Sequence, residues 1–171
     1  MNFKINKIVV LTTLLLKAGL IIAGPVRIGN GDDGDDLQSF SPIKTGKILE
    51  TRNDAVKLLK SFEVNKINGL GALIPELENT KLYMTKKGLS AQTLAKLGAF
   101  KSDGSGLIYA RTLPQPYAAT RFFPASEKLD KKQLIALHIH EALHRSLPKS
   151  LRENESVTSQ ITQSITSPDA S

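Results

Sequence analysis

The stretch His138-Ile139-His140-Glu141-Ala142-Leu143-His144 contains all three histidines of the chain and fits the pattern H-E-x-x-H through His140, Glu141 and His144. Residues four apart on a helix share a face, one turn apart. A helix here would therefore aim the His140 and His144 imidazoles at one point. Glu141 would sit about 100° further round the same helix. Two neutral nitrogen donors on a rigid face, with a carboxylate beside the open position, suit a metal ion and a base for a water bound to it. The same spacing also fits a packed helix with two half-buried histidines and a solvated glutamate.

The flanks define this helix sharply. Asp130 fits an N-cap, Gln133 completes a capping box, and Leu129 and Leu134 occupy the staple positions. Leu134, Ile135, Leu137, Ile139, Ala142, Leu143 and Leu147 leave most of the circumference apolar. Such a helix is buried on several sides. Its histidines and glutamate then need partners, because an unpaired buried polar group is costly. A metal ion would satisfy all three. Pro148 ends the helix.

The chain has no cysteine, which excludes disulfides and thiolate metal sites and leaves histidine and carboxylate ligands. Its 171 residues suit one domain. The formal charge of +7 comes from 23 Lys and Arg against 16 Asp and Glu. Without Lys4, Lys7 and Lys17 of the N-terminal segment, that balance is 20 against 16. With few aromatics, this speaks against nucleic acid as a partner.

Residues 1–23 have the layout of a secretory signal peptide. Lys4 and Lys7 form a basic start, Ile8 to Leu16 an apolar run, and Ala23–Gly24 a cleavage point. The run is too short to span a bilayer, so no stable membrane insertion is expected after cleavage. The expected location is periplasmic or extracellular. Residues 24–46, with Gly29-Asn30-Gly31-Asp32-Asp33-Gly34-Asp35-Asp36, are rich in glycine and like charge and are expected to be a flexible linker. The distant glutamate and flanking helices of an EF-hand are missing, so calcium is not expected there.

A single domain is expected over 47–166, with a tail at 167–171. Ile48, Leu49, Val56, Leu58, Leu59 and Phe62 predict a helix over 47–63. Gly69, Gly71 and Pro75 point to a loop leading into a short helix around Pro75 to Leu77. Residues 81–85 read as a strand, and Ser90 caps a helix from Ala91 to Leu97 that Gly98 ends. Gly106 to Leu113 is the best strand by alternation, and Thr120 to Phe123 adds a short one. Ser150 to Glu153 fits a second capping box, opening a last helix that runs to about Ile165 with Val157, Ile161 and Ile165 on one stripe.

A catalytic zinc takes three protein ligands and water. No histidine follows His144, so the third ligand should be a carboxylate. Asn154-Glu155 resembles the N-E pair of the thermolysin-like gluzincin metallopeptidases, and the span 106–165 is similar to the reduced single-domain minigluzincins. The His-Glu-Ala-Leu-His-Arg-Ser-Leu-Pro string also resembles that of a group of small exported bacterial proteins. The gluzincin resemblance implies an α+β, zincin-like domain, with a short sheet whose edge strand packs on the H-E-x-x-H helix and a glutamate-bearing helix after it. It implies His140, His144 and Glu155 as Zn2+ ligands, with Glu153 the rival, and Glu141 as general base. The implied function is an exported zinc metallopeptidase acting on a peptide or protein substrate, with strand 106–113 as the edge that takes the peptide. The alternative is a non-catalytic zinc-binding or envelope structural protein, in which His138 could close the site as a fourth ligand. Tyr109, Tyr117 and Arg121 are the candidates for oxyanion stabilisation. Where gluzincins carry an aspartate four residues after the glutamate, this chain has Ser159.

Overall fold

The computed structural model describes residues 35–64, 70–101 and 104–167. Residues 1–34 lie outside this range, so the signal-peptide reading and the acidic run before Asp35 cannot be placed on it. The fold is α+β, with a four-stranded sheet and six α-helices among the described residues. The sheet is built from β1 (Phe40–Pro42), β2 (Leu82–Thr85), β3 (Ala110–Arg111) and β4 (Thr120–Phe122). Its spatial order is β1-β2-β4-β3. β2 and β4 are parallel, and both outer pairs are antiparallel. The helices are α1 (Lys47–Val64), α2 (Leu73–Asn79), α3 (Ala91–Lys96), α4 (Lys131–Ser146), α5 (Lys149–Arg152) and α6 (Glu155–Thr166). None of the described helices is long and apolar enough to cross a membrane.

α4 is the hub, packed against α1, α2 and α6. Leu59 of α1, Leu73 and Leu77 of α2, Ile139 and Leu143 of α4, and Ile165 of α6 are all nearly inaccessible and form the main core. Burying one such side chain contributes about 1.5–3 kcal/mol. The sheet separates two smaller clusters. Phe122 packs with Leu82, Ala110 and Leu137 on the α4 side. Phe123, next in sequence, joins Phe40 and Leu94 in the other cluster, as strand alternation requires.

Three expectations need correction. First, part of the segment read as a linker joins the sheet. A 3-10 turn at Asp35–Ser39 leads into β1, and Phe40 is buried against Phe123. One aromatic anchor outweighs the polar composition around it. Second, the strand expected over Gly106 to Leu113 regularises only at Ala110–Arg111. The residues before it turn back on the preceding chain: Phe100 bridges Leu107, and Ile108 N donates to Ala99 O. The segment thus changes partner midway. Third, Ser150 does not open the last helix. α5 is a single short turn of helix, and α6 begins at Glu155 with Asn154 as N-cap, its side chain accepting from Val157 N. Asparagine caps as well as serine does, and here it lies next to the apolar stripe. The short helix expected around Pro75 to Leu77 is present and extends over Leu73–Asn79, with Pro75 in its first turn, where a missing N–H costs little.

Candidate metal centre

α4 begins where its caps say it should. Asp130 Oδ1 accepts from Gln133 N at 2.8 Å, and Gln133 Oε1 accepts from Asp130 N at 2.8 Å. This fixes the helical register and places His140 and His144 on the face turned to α6. α6 begins with Glu155, where its carboxylate also complements the positive end of the helix. The short α5 brings that end back over α4.

His140 Nε2 lies 2.9 Å from Glu155 Oε1, His144 Nε2 lies 3.3 Å from Glu155 Oε2, and the two Nε2 atoms are 3.0 Å apart. Ligand atoms of all three residues lie within 4.8 Å of one another. Zinc–nitrogen bonds of about 2.0–2.1 Å in a tetrahedron set donors about 3.3 Å apart. The observed separations are close to that. Two imidazoles and a carboxylate converge here, a donor set that could hold a metal ion such as zinc. Burial holds the His140 pKa below the usual histidine value, against the upward pull of Glu155, and so favours the neutral ring that a metal needs.

His140 Nδ1 faces Thr162 Oγ1 at 3.4 Å. Thr162 is buried on the inner face of α6 beside Thr158. Ser159, which occupies the gluzincin aspartate position, is exposed at the rim of the cleft. Thr158 and Thr162 fall next to the Val157-Ile161-Ile165 stripe, a signal the sequence does contain.

Glu141 is 5 % exposed, and burial pushes its carboxyl pKa up to about 7, against the pull of the Arg145 and Arg111 charges. It borders the same cleft as His140, His144 and Glu155, a space of about 1250 Å³. Tyr109 also lines this cleft, whereas Tyr117 and Arg121 do not. Tyr117 is held at φ 60°, its N–H donating to Glu76 Oε2. Arg121 lies over the Phe40 ring, in the cluster that Phe123 joins. His138 also stays apart from the His140, His144 and Glu155 cluster. Its Nε2–H donates to Ile48 O at 2.8 Å, and its ring packs on Phe122. It ties α1 to α4 and cannot serve as a fourth ligand from there. Burial lowers its pKa to about 4.

Sequence reasoning missed Arg145, next to the second motif histidine. It is buried, pairs with Glu76 of α2 at 3.0 Å, and donates to Thr112 Oγ1 and Thr120 Oγ1 at 3.0 and 2.9 Å. This network fastens α4 to α2 and to the strands beside the cleft. Arg111, also missed, lines the cleft from β3.

No protein-family model, curated protein or solved structure matches the chain.

Proposed function

We propose that this chain is an exported zinc-dependent metallopeptidase whose domain is zincin-like, of the gluzincin type. The observation that carries the reading is the convergence of His140, His144 and Glu155 within 4.8 Å, in a cleft that Glu141 also borders. Zinc held by those three side chains would supply Lewis-acid polarisation of the scissile carbonyl and of water. Glu141 accepts the proton of the attacking water as its oxygen bonds to the carbonyl carbon. It then delivers that proton to the leaving nitrogen as the C–N bond breaks. A buried carboxylate bordering the cleft is suited to both transfers. β3 is an outer strand of the sheet and borders the cleft, which suits an extended peptide laid along its free edge. Tyr109 is the cleft-lining candidate for oxyanion stabilisation.

The test is elemental analysis of the purified chain beside a His144→Ala variant, followed by a peptide-library digest. About one zinc per chain, lost in the variant, together with cleavage abolished by Glu141→Gln, supports the reading. Zinc without cleavage leaves a non-catalytic zinc-binding protein. Absence of zinc after reconstitution removes the peptidase reading altogether.

A further inference from the structure

We propose that the cleft selects extended peptides in which acidic side chains stand beside a bulky apolar one. The inference rests on reading the cleft as a peptide site, and it deepens that reading to a substrate class. Two independent features carry it.

The first is apolar. Phe100, Leu107 and Tyr109 remain 38 %, 47 % and 40 % exposed, and all three line the cleft. Among the described residues only one other large hydrophobic, Tyr117, is comparably exposed. Exposed apolar surface gathered in one concave place marks a binding site. Phe100 and Leu107 face each other across an antiparallel bridge, and Lys101 N donates to Gly106 O, so the wall is fixed by backbone pairing.

The second is charge. Lys96 of α3, Lys101 and Arg111 of β3 line the same cleft, and all three are exposed. None is in a salt bridge with a described residue. Among the described residues the carboxylates lining the cleft are Glu141 and Glu155, both assigned to the metal chemistry. The remaining charge of the described lining is positive and spread over three separate stretches of chain. One terminal carboxylate would engage one of these sites. An extended peptide advances about 3.3 Å per residue and sends alternate side chains to one side, so several acidic residues reach several cations.

The experiment uses the whole chain, with zinc and with chelator, and labelled dodecapeptides of one Leu-Phe-centred sequence. The flanking residues are Asp/Glu, Asn/Gln or Lys, and each peptide is made with a free and an amidated C-terminus. Fluorescence anisotropy reads binding, and mass spectrometry separately reads cleavage. The amidated acidic peptide is expected to bind about tenfold tighter than its amide isostere, the sum of a few exposed ion pairs. The advantage should shrink with salt and reverse in the double variant Lys101→Glu, Arg111→Glu. The salt series on the unaltered chain stands even if that variant misfolds. Replacing Leu-Phe with Ser-Ser should abolish binding. Equal binding of acidic and amide peptides, no binding of any, or an advantage confined to free C-termini overturns the proposal. Selective binding without cleavage upholds the cleft chemistry while removing the peptidase reading. Cleavage with no acidic preference does the reverse.

Discussion

Thr162 Oγ1 stands 3.4 Å from His140 Nδ1 while donating its single proton to Thr158 O at 2.9 Å. A hydroxyl already committed as a donor can only accept from the ring. This contact favours the tautomer with the proton on Nδ1, the one that would leave the Nε2 lone pair to a metal ion held with Glu155 and His144. A threonine from the next helical turn thus does work that the exposed Ser159 cannot. Thr162→Val, which keeps the shape and removes the acceptor, is expected to weaken zinc affinity ten- to a hundredfold, roughly the effect of losing such an outer contact. Thr162→Ser should retain it. Competition with a chromogenic chelator measures both, and equal affinity for all three proteins would show that the contact does nothing.

Glu155 and Glu153 make a second contrast. The Glu155 oxygens approach both imidazoles, whereas Glu153 Oε1 lies 3.8 Å from Lys149 Nζ at an exposed position. Glu155→Gln should cost more than about a hundredfold in zinc affinity, since a direct ligand matters more than the groups behind it. Glu153→Gln should leave affinity within about twofold, as expected for an exposed ion pair. The opposite ranking in the same chelator competition would exchange the two roles.

The contrast between what could and could not be read from the chain has a physical basis. The start of α4 was legible to the residue because it depends on Asp130 and Gln133, three positions apart, and Pro148 lies just past its end. Local chemistry leaves a local signature. His140, His144 and Glu155 were legible because helical spacing and one short connection bring them together. β3 was overextended because alternation says that a segment can pair but not with which partner, and Gly106 to Ile108 pairs back on residues 99–101. The Arg145–Glu76 pair spans 69 positions, and an isolated arginine next to a motif reads as a solvated charge. Thr162 has no local signature of its own, because beside the Val157-Ile161-Ile165 stripe a threonine looks like packing.

Glu76 and Arg145 give a stability prediction. Both are buried, and Glu76 also accepts from Tyr117 N, whose backbone is in the left-handed region. Glu76→Ala would strand a buried guanidinium and lose the acceptor that holds Tyr117, at an expected cost of about 3–5 kcal/mol. Glu76→Leu combined with Arg145→Met should be clearly less damaging than Glu76→Ala, because neither charge is then left alone. Urea denaturation of the three proteins measures this. A double substitution at least as harmful as the single one would mean that the two threonines, rather than Glu76, compensate the Arg145 charge.

The pH dependence of the metal-free chain follows from two buried groups with opposite signs. The Glu141 carboxyl rises from 4.5 to about 7 on folding. Between those values the folded state keeps a proton that the unfolded state has lost. Its contribution is therefore complete below pH 4.5 and is lost as pH rises toward 7. His138 falls from 6.5 to about 4. Between those values the unfolded state holds the extra proton, so the His138 contribution is complete above pH 6.5 and is lost as pH falls toward 4. The two slopes oppose each other between pH 4.5 and 6.5, and each contribution is worth up to about 3 kcal/mol. With chelator present, the unaltered chain should show a shallow profile across that window. Glu141→Gln removes the falling slope, so that variant should gain stability steadily from pH 4 to 6.5. It should exceed the unaltered chain above pH 7, the expected trade of stability for a buried base. Thermal unfolding against pH measures both profiles. Identical profiles would mean that Glu141 ionises in the folded state as it does in water.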